Sequence, residues 1–315
     1  MNNILLYVVT VLIWGSTWLA IEFQLGSVPV EVSLLLRFAI AALLMWGYVL
    51  IKRLPMRFNR RDHVFFALLA LCNFGANYLI LYWAQAYLTS ALASIAFSML
   101  LLMNIINTKL FFSRPIAKRI YFGALLGVVG IAVLFWPAIS SLDLNNGVLI
   151  GLLLALSGTL VASLGNMVSV RNSQAEVGIL QGNAWGMLYA TLGLSLYVIL
   201  TGASVDFAAT TMSYWLSLLY LSTFGTVIAF ACYFVLLKNI GPEKASYVIV
   251  LFPLVAVVLS TLFEGFVWQA NTVYGFACVL LGNAIVLTPV HKITARFRKP
   301  RVTEVPPKAV RPLGS

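Results

Sequence analysis

The chain has 315 residues, of which 62% are hydrophobic and only 9% are charged, and its formal net charge is +11. About a quarter of the residues in a soluble domain are charged, and a single core in a chain of this size could not bury so much apolar surface. These values exclude an ordinary soluble protein and indicate one that lies in a lipid bilayer.

Ten long apolar runs follow one another along the chain. An α-helix rises about 1.5 Å per residue, so roughly 20 apolar residues cross the ~30 Å hydrocarbon layer of a membrane. The sequence therefore predicts an all-α membrane protein with ten transmembrane helices near residues 4–22, 31–51, 64–83, 89–111, 120–136, 147–169, 178–200, 213–236, 245–263 and 273–290.

The connections between these runs alternate between basic loops and loops without Lys or Arg. Of the 20 basic residues, 19 lie in alternate connections or in the C-terminal tail, and Arg37 is the exception. Since Lys and Arg collect on the cytoplasmic side of a membrane, both termini are predicted to be cytoplasmic. The tail, 291–315, is basic and contains prolines, and it is expected to be disordered near the membrane surface.

An internal repeat relates the fifth run to the tenth. Four residues of the fifth run match four of the tenth in order, namely Gly123, Gly130, Ala132 and Pro137 with Gly275, Gly282, Ala284 and Pro289. The chain is therefore divided into two five-helix repeats, 4–136 and 147–290. Because five is odd, the two copies must insert in opposite orientations, and such inverted repeats typify transporters with a site near the bilayer midplane.

Arg37 lies inside the second run, where a charge is costly and is usually paired or exposed to a water-filled cavity. Glu31 and Glu22, near the same end, are candidate partners. Two interpretations remain open. Arg37 is either a structural arginine, which extends to the interface or forms an ion pair, or a residue that takes part in substrate binding or gating.

Polar and aromatic side chains recur at helical spacing within the runs. Lipid gives such groups no partners, so they are expected to face the bundle interior. Each one alone could instead form an interhelical hydrogen bond. As a set they predict an aromatic and amide-lined substrate cavity formed by Trp14, Thr17, Asn73, Asn77, Tyr78, Tyr82, Ser94 and Ser98 of the first half and Asn166, Trp185, Tyr233 and Tyr247 of the second.

No enzyme, cofactor or metal motif is present in the sequence, so neither catalysis nor a bound cofactor or metal is expected. The basic residues do not form one amphipathic face, which excludes a nucleic-acid partner. The partners expected are a small-molecule substrate and lipid. The stripe Gly178, Gly182 and Gly186 favours close packing within the chain over a dimer, so a monomer is predicted. Pro253 predicts a kink in the ninth helix.

These residues resemble the drug/metabolite transporter superfamily, specifically its ten-helix EamA-type members. The resemblance covers residues 4–290 and rests on the segment Trp14 to Trp18, on Arg37, on Gly241-Pro242, on Pro253 and on Glu264-Gly265. The mid-helix proline and the glutamate occur once, since Leu100 and Phe111 stand at the first-half positions of Pro253 and Glu264, which puts a strictly symmetric gating mechanism in doubt.

The resemblance implies export of small metabolites, above all amino acids, across the bacterial inner membrane by alternating access. Some members prefer aromatic or hydrophobic amino acids, and a multidrug or organic-cation efflux transporter is the alternative. The resemblance also implies a central cavity built from helices one, three, four, six, eight and nine, with Arg37, Pro253 and Glu264 in gating or structural roles.

Overall fold

A computed structural model describes residues 2–26, 28–113, 115–141, 146–203, 207 and 210–288. The predicted tail, 291–315, lies outside these residues. All regular structure in the described part of the chain is helical, in ten successive segments: α1 (Asn3–Glu22), α2 (Val30–Ile51), α3 (Arg60–Gln85), α4 (Ser90–Phe112), α5 (Lys118–Leu134), α6 (Gly147–Gln174), α7 (Ile179–Thr201), α8 (212–245), α9 (Tyr247–Phe263) and α10 (Ala270–Leu287). A five-residue helix, Trp136–Ser140, lies between α5 and α6.

Length and apolar composition confirm a polytopic membrane protein but do not establish all ten crossings. Within the described residues, eight helices are long and apolar enough to span a bilayer, and α9 is a shorter apolar helix. α5 has 17 residues. Many large apolar side chains are exposed on the outside of the bundle, as expected for a surface covered by lipid, among them Leu43, Ile51, Leu125, Ile199 and Leu200.

Five of the ten helices begin after a polar residue whose side chain satisfies a free backbone N–H group of the first turn. In each case a side-chain oxygen accepts from a backbone N–H two or three residues later. The capping residues are Asn2, Asn59, Thr89, Asn146 and Thr211. These caps allow helix ends to lie close to apolar surroundings without unpaired amides.

The third helix of each half contains a π-helical segment. It comprises Ala70–Gly75 in α3 and Leu221–Ile228 in α8. The two segments end 153 residues apart, the same separation that aligns Leu100 with Pro253. A π-helical turn carries an additional residue and often marks a functional site. Both halves therefore have the same local irregularity at equivalent positions.

α4 and α9, the fourth helices of the two halves, differ at equivalent positions. α9 continues through Pro253 as a single helix. α4, which has Leu100 at that position, is interrupted by a turn at Ser98–Met99 between Ser90–Phe97 and Leu100–Phe112. Pro253 is buried in the bundle, and the kink that it predicts, because one backbone hydrogen bond is lost, stays a prediction.

α5 and α10 pack against each other through the glycines of the internal repeat. A Cβ on Gly123 would lie 2.6 Å from the carbonyl oxygen of Gly282, and one on Gly130 would lie 2.7 Å from that of Gly275. The first glycine of one helix thus faces the second glycine of the other, so the two helices run antiparallel. Equivalent surfaces meet, as in an isologous contact, which agrees with two inverted repeats.

Candidate functional site

A cavity of about 590 Å³ lies in the centre of the bundle. This volume falls in the range of small-molecule sites. Its wall is formed by residues of α1 to α4 and α6 to α9, and no lining residue belongs to α5 or α10. The cavity therefore includes the six helices expected from the family resemblance and adds α2, through Arg37, and α7, through Ile179 and Asn183.

The cavity extends to the end of the bundle that carries the basic loops. Val170 lines it about one turn before α6 ends, and Ile179 lines it at the first position of α7. Ser246 lines it immediately before α9 begins. The basic segment 52–61 and Arg171, in the last turn of α6, lie at this end.

Three aromatic residues close the opposite side of the cavity. Trp18 and Phe252 stack with an interplanar angle of 8° and ring centroids 6.2 Å apart, and Phe97 lies 5.3 Å from Trp18. Beyond these rings small side chains pack tightly, and Ala91 and Ala256 are completely buried. The described residues thus form a cavity that is closed on one side of the bundle.

Glu264 joins α9 to the start of α4 on this closed side. Its carboxylate accepts hydrogen bonds from the backbone N–H of Ser90, at 3.2 and 3.3 Å, and from the Ser90 hydroxyl at 2.8 Å. A carboxylate at a helix N-terminus is favoured both by the free N–H groups and by the helix dipole. Gln85 adds a hydrogen bond to the Trp18 carbonyl oxygen at 3.0 Å.

Amide side chains line one part of the wall. Asn73 on α3 donates to the Asn166 side-chain oxygen at 3.5 Å, and Asn166 on α6 donates to that of Asn104 on α4 at 3.2 Å. The side-chain oxygen of Asn77 is buried and has no hydrogen-bond partner. This part of the wall presents both donors and acceptors to a solute.

Two aromatic residues of the second half, Phe230 and Tyr233, line the cavity beside Trp14 of the first half. The Trp14 ring lies 5.0 Å from the Tyr233 ring and 5.5 Å from the Phe230 ring. Thr17, on the same face of α1, donates its hydroxyl to the Trp14 carbonyl oxygen at 2.7 Å. These rings and the three of the closing layer together place six aromatic side chains on the cavity wall.

Arg37 also lines the cavity, and its side chain is only 2% exposed. It donates to the Tyr82 hydroxyl at 3.1 Å and to the Thr226 hydroxyl at 3.4 Å. The expected pairing with Glu31 or Glu22 is absent, since the one salt bridge among the described residues joins Arg171 to Asp62. Because the guanidinium is enclosed by the bundle, Arg37 does not extend to the membrane interface.

The structure places seven of the twelve predicted substrate residues on the cavity wall: Trp14, Thr17, Asn73, Asn77, Tyr78, Asn166 and Tyr233. They come from four helices, α1, α3, α6 and α8, and are brought together although they are up to 219 residues apart in sequence. The other five lie away from the wall.

Ser94 and Ser98 face the packed part of α4 rather than the cavity. Their hydroxyls donate to the carbonyl oxygens of Ala91 and Ile95, at 2.8 and 2.6 Å, three residues earlier in the same helix. A serine can satisfy itself in this way inside an apolar environment. Their i, i+4 spacing reflected a buried face, not a cavity face.

Tyr82 lies behind Arg37 rather than on the wall. It is fully buried, accepts from the Arg37 guanidinium and donates to the Gln24 side-chain oxygen at 2.9 Å. Its contribution to the cavity is therefore indirect, because it fixes the position of Arg37.

Trp185 and Tyr247 lie near the basic-loop end of the bundle. The Trp185 indole donates to the Met56 carbonyl oxygen at 3.3 Å and its ring lies 4.6 Å from that of His63. The Tyr247 hydroxyl is 2.6 Å from that of Thr288. Both side chains connect helices outside the cavity.

Sequence patterns did not identify several residues of the wall. The rings of Phe97 and Phe252 carry no polar atom that would distinguish them within an apolar run, and Trp18 has only its indole N–H. Asn104 and Asn183, as amides within apolar runs, were expected to face the bundle interior but were not among the twelve predicted substrate residues.

Comparisons with known proteins match the whole helical region. The sequence profile of the EamA-like transporter family matches residues 1–136 and 149–288. The chain is 27% identical to the "Uncharacterized inner membrane transporter YedA" of Escherichia coli, over 90% of this chain and 92% of that protein. It is 23% identical to "Protein PagO" of Salmonella typhimurium, over 93% and 96%.

A solved crystal structure is similar in fold. It superimposes with a TM-score of 0.65 at 19% sequence identity, covering 90% of this chain and 96% of that one. At this level of identity the likeness concerns the fold alone.

Proposed function

Because the chain belongs to the EamA-like transporter family, we propose that it exports amino acids with aromatic or other hydrophobic side chains from the bacterial cytoplasm. The observation that carries the proposal is the central cavity, whose wall combines aromatic rings with amide groups. The rings would contact the apolar side chain of the solute, and the amides would hydrogen-bond its polar groups.

The side on which the cavity opens supports export. The cavity reaches the end of the bundle with the basic loops, and basic loops are retained in the cytoplasm. In this conformation the cavity would therefore take up solute from the cytoplasm. We propose that the protein works in the inner membrane and as a monomer, so that one chain forms the whole cavity.

Release on the other side would require the closed end to open. We expect the Trp18, Phe97 and Phe252 rings to separate and the Glu264–Ser90 hydrogen bonds to break in the alternate state. Exposed to water, both the carboxylate and the N-terminus of α4 would be solvated. These hydrogen bonds can therefore hold this end closed and still break when the transporter opens to the other side of the membrane.

An organic-cation efflux transporter is the second candidate, favoured by the aromatic lining, because cations bind to the faces of aromatic rings. The charge on the wall argues for the first candidate. No acidic residue lines the cavity in the described part of the chain, whereas Arg37 does.

Counterflow in proteoliposomes tests the proposal. Vesicles loaded with unlabelled phenylalanine are diluted into labelled phenylalanine, and a panel of other amino acids and of organic cations is added as competitors. We expect uptake well above that of protein-free liposomes and competition by hydrophobic amino acids. Counterflow of organic cations without that of any amino acid would instead establish the second candidate.

A further inference from the structure

Arg37 places a permanent positive charge in the interior of the bundle. It is the eighth residue of α2, so its Cα lies about 10 Å along the helix from the first residue. Arginine remains protonated in proteins. Moving such a charge out of water is unfavourable unless an opposite charge compensates it.

The groups around Arg37 are all neutral. Besides its hydrogen bonds to Tyr82 and Thr226, the guanidinium lies 4.6 Å from the Tyr78 ring and 5.7 Å from the Phe38 ring. Its Nε atom is buried and has no hydrogen-bond partner. Within the described residues the charge is therefore supported by dipoles and aromatic rings but not neutralised.

Neighbouring groups keep the guanidinium in place. Arg37 donates to Tyr82, and Tyr82 donates in turn to Gln24. Thr226 belongs to the π-helical segment of α8, and its hydroxyl also donates to the Leu221 carbonyl oxygen at 2.8 Å. A donor fixed in this way loses little entropy when it binds an anion.

An acceptor without a partner lies on the same wall. The Asn77 side-chain oxygen is buried and unpaired, and both Asn77 and Arg37 line the cavity. A carboxylate satisfies the guanidinium, and an ammonium group satisfies the amide oxygen. An α-amino acid carries both groups on the same carbon atom.

We propose that Arg37 binds the carboxylate of the transported solute and makes the cavity selective for compounds with one carboxylate and an apolar body. The inference rests on the proposed function, since it assigns the substrate class of the same cavity. The solute carboxylate supplies the missing counter-charge, and the aromatic rings of Trp14, Trp18 and Phe252 contact the apolar body.

The test compares probes that differ in one charged group. Binding of phenylalanine, phenylalaninamide, 3-phenylpropanoate and phenethylamine is measured by thermal stabilisation of the purified protein. We expect the two carboxylates to bind roughly tenfold more tightly than the two compounds without one, the range of a charge-assisted hydrogen bond. Equal binding of phenylalanine and phenylalaninamide by the wild-type protein would overturn the proposal, whatever the variants do.

Variants assign the preference to Arg37. In Arg37→Gln the ratio of the two dissociation constants is expected to fall close to one, and in Arg37→Lys it is expected to be intermediate, because lysine keeps the charge but not the forked donor geometry. Arg119→Gln is the matched control. Arg119 lies at the start of α5, outside the cavity, and donates to the Thr288 carbonyl oxygen, so the ratio should stay as in the wild type.

The outcomes separate this inference from the proposed function. If Arg37→Gln folds and keeps the carboxylate preference, the inference is wrong. If organic cations are transported and carboxylates do not bind, both this inference and the proposed export of amino acids fail, and the protein is an organic-cation transporter. If carboxylates bind through Arg37 but no amino acid undergoes counterflow, the inference stands and the proposed export fails.

Discussion

At the scale of single residues, the wall of the cavity separates groups that are available to a solute from groups that are already satisfied. Ser98 and Asn77 are both buried polar residues inside apolar helices. The Ser98 hydroxyl donates to a carbonyl oxygen of its own helix, whereas the Asn77 side-chain oxygen has no partner and belongs to a residue of the cavity wall. Burial alone therefore does not identify a binding residue.

Replacement of Asn77 tests this distinction. We expect Asn77→Ala to weaken binding of phenylalanine about tenfold, because a hydrogen bond to the ammonium group is lost. Ser98→Ala, the matched control, should change binding less than twofold. Dissociation constants from thermal stabilisation measure both. A larger effect for Ser98→Ala than for Asn77→Ala would contradict this distinction, because it would place the binding site on the face of α4 that carries Ser98.

The sequence identified the types of residue in the cavity better than their positions. Amides and aromatic residues in apolar runs must find partners inside the bundle, which predicted Asn73, Asn166 and Trp14 as interior residues. Ser94 was predicted by the same argument but satisfies its hydroxyl within its own turn. Which interior residues face the cavity depends on helix rotation, and spacing within one helix does not fix rotation against its neighbours.

At the scale of helices, the two halves share irregularities that a sequence of apolar residues conceals. The π-helical segments of α3 and α8 occupy equivalent positions and carry cavity residues, Asn73 and Gly225 among them. In contrast, the interruption of α4 at Ser98–Met99 has no counterpart in α9, which continues through Pro253. The sequence of α4 contains no proline that would have predicted this interruption.

The glycine contacts between α5 and α10 give a second prediction at this scale. A Cβ on Gly130 would lie 2.7 Å from both the Gly275 carbonyl oxygen and the Val279 backbone nitrogen. Since backbone atoms cannot move aside as a flexible side chain can, Gly130→Ala should destabilise the protein by about 1–3 kcal/mol. The expected result is a Tm several degrees lower for the protein purified in detergent.

Gly193→Ala in α7 is the control for this substitution. No atom lies within 4 Å of the added Cβ, and alanine favours a helix more than glycine does, so the Tm should be unchanged or higher. An equal loss of stability in both variants would show that the α5–α10 contact has no special role.

At the scale of the whole molecule, the distribution of charge and hydropathy along the chain predicted more of the architecture than any single motif did. The alternation of basic and non-basic loops predicted orientation, and the repeat predicted two inverted halves, which the antiparallel α5–α10 contact and the two family matches support. The conformation of the cavity could not be predicted in this way. Which end is closed depends on contacts between distant helices, such as that of Glu264 with Ser90.

The central claim, that one chain encloses a solute cavity open to the cytoplasm, is tested most directly by the accessibility of a cysteine on the wall. Val170→Cys is made in a background without Cys72, Cys232 and Cys278, and labelled with a membrane-impermeant thiol reagent. We predict fast labelling in inside-out vesicles, slowed by phenylalanine, and slow labelling in right-side-out vesicles. Faster labelling from the outside, with no protection by any amino acid, would contradict the account.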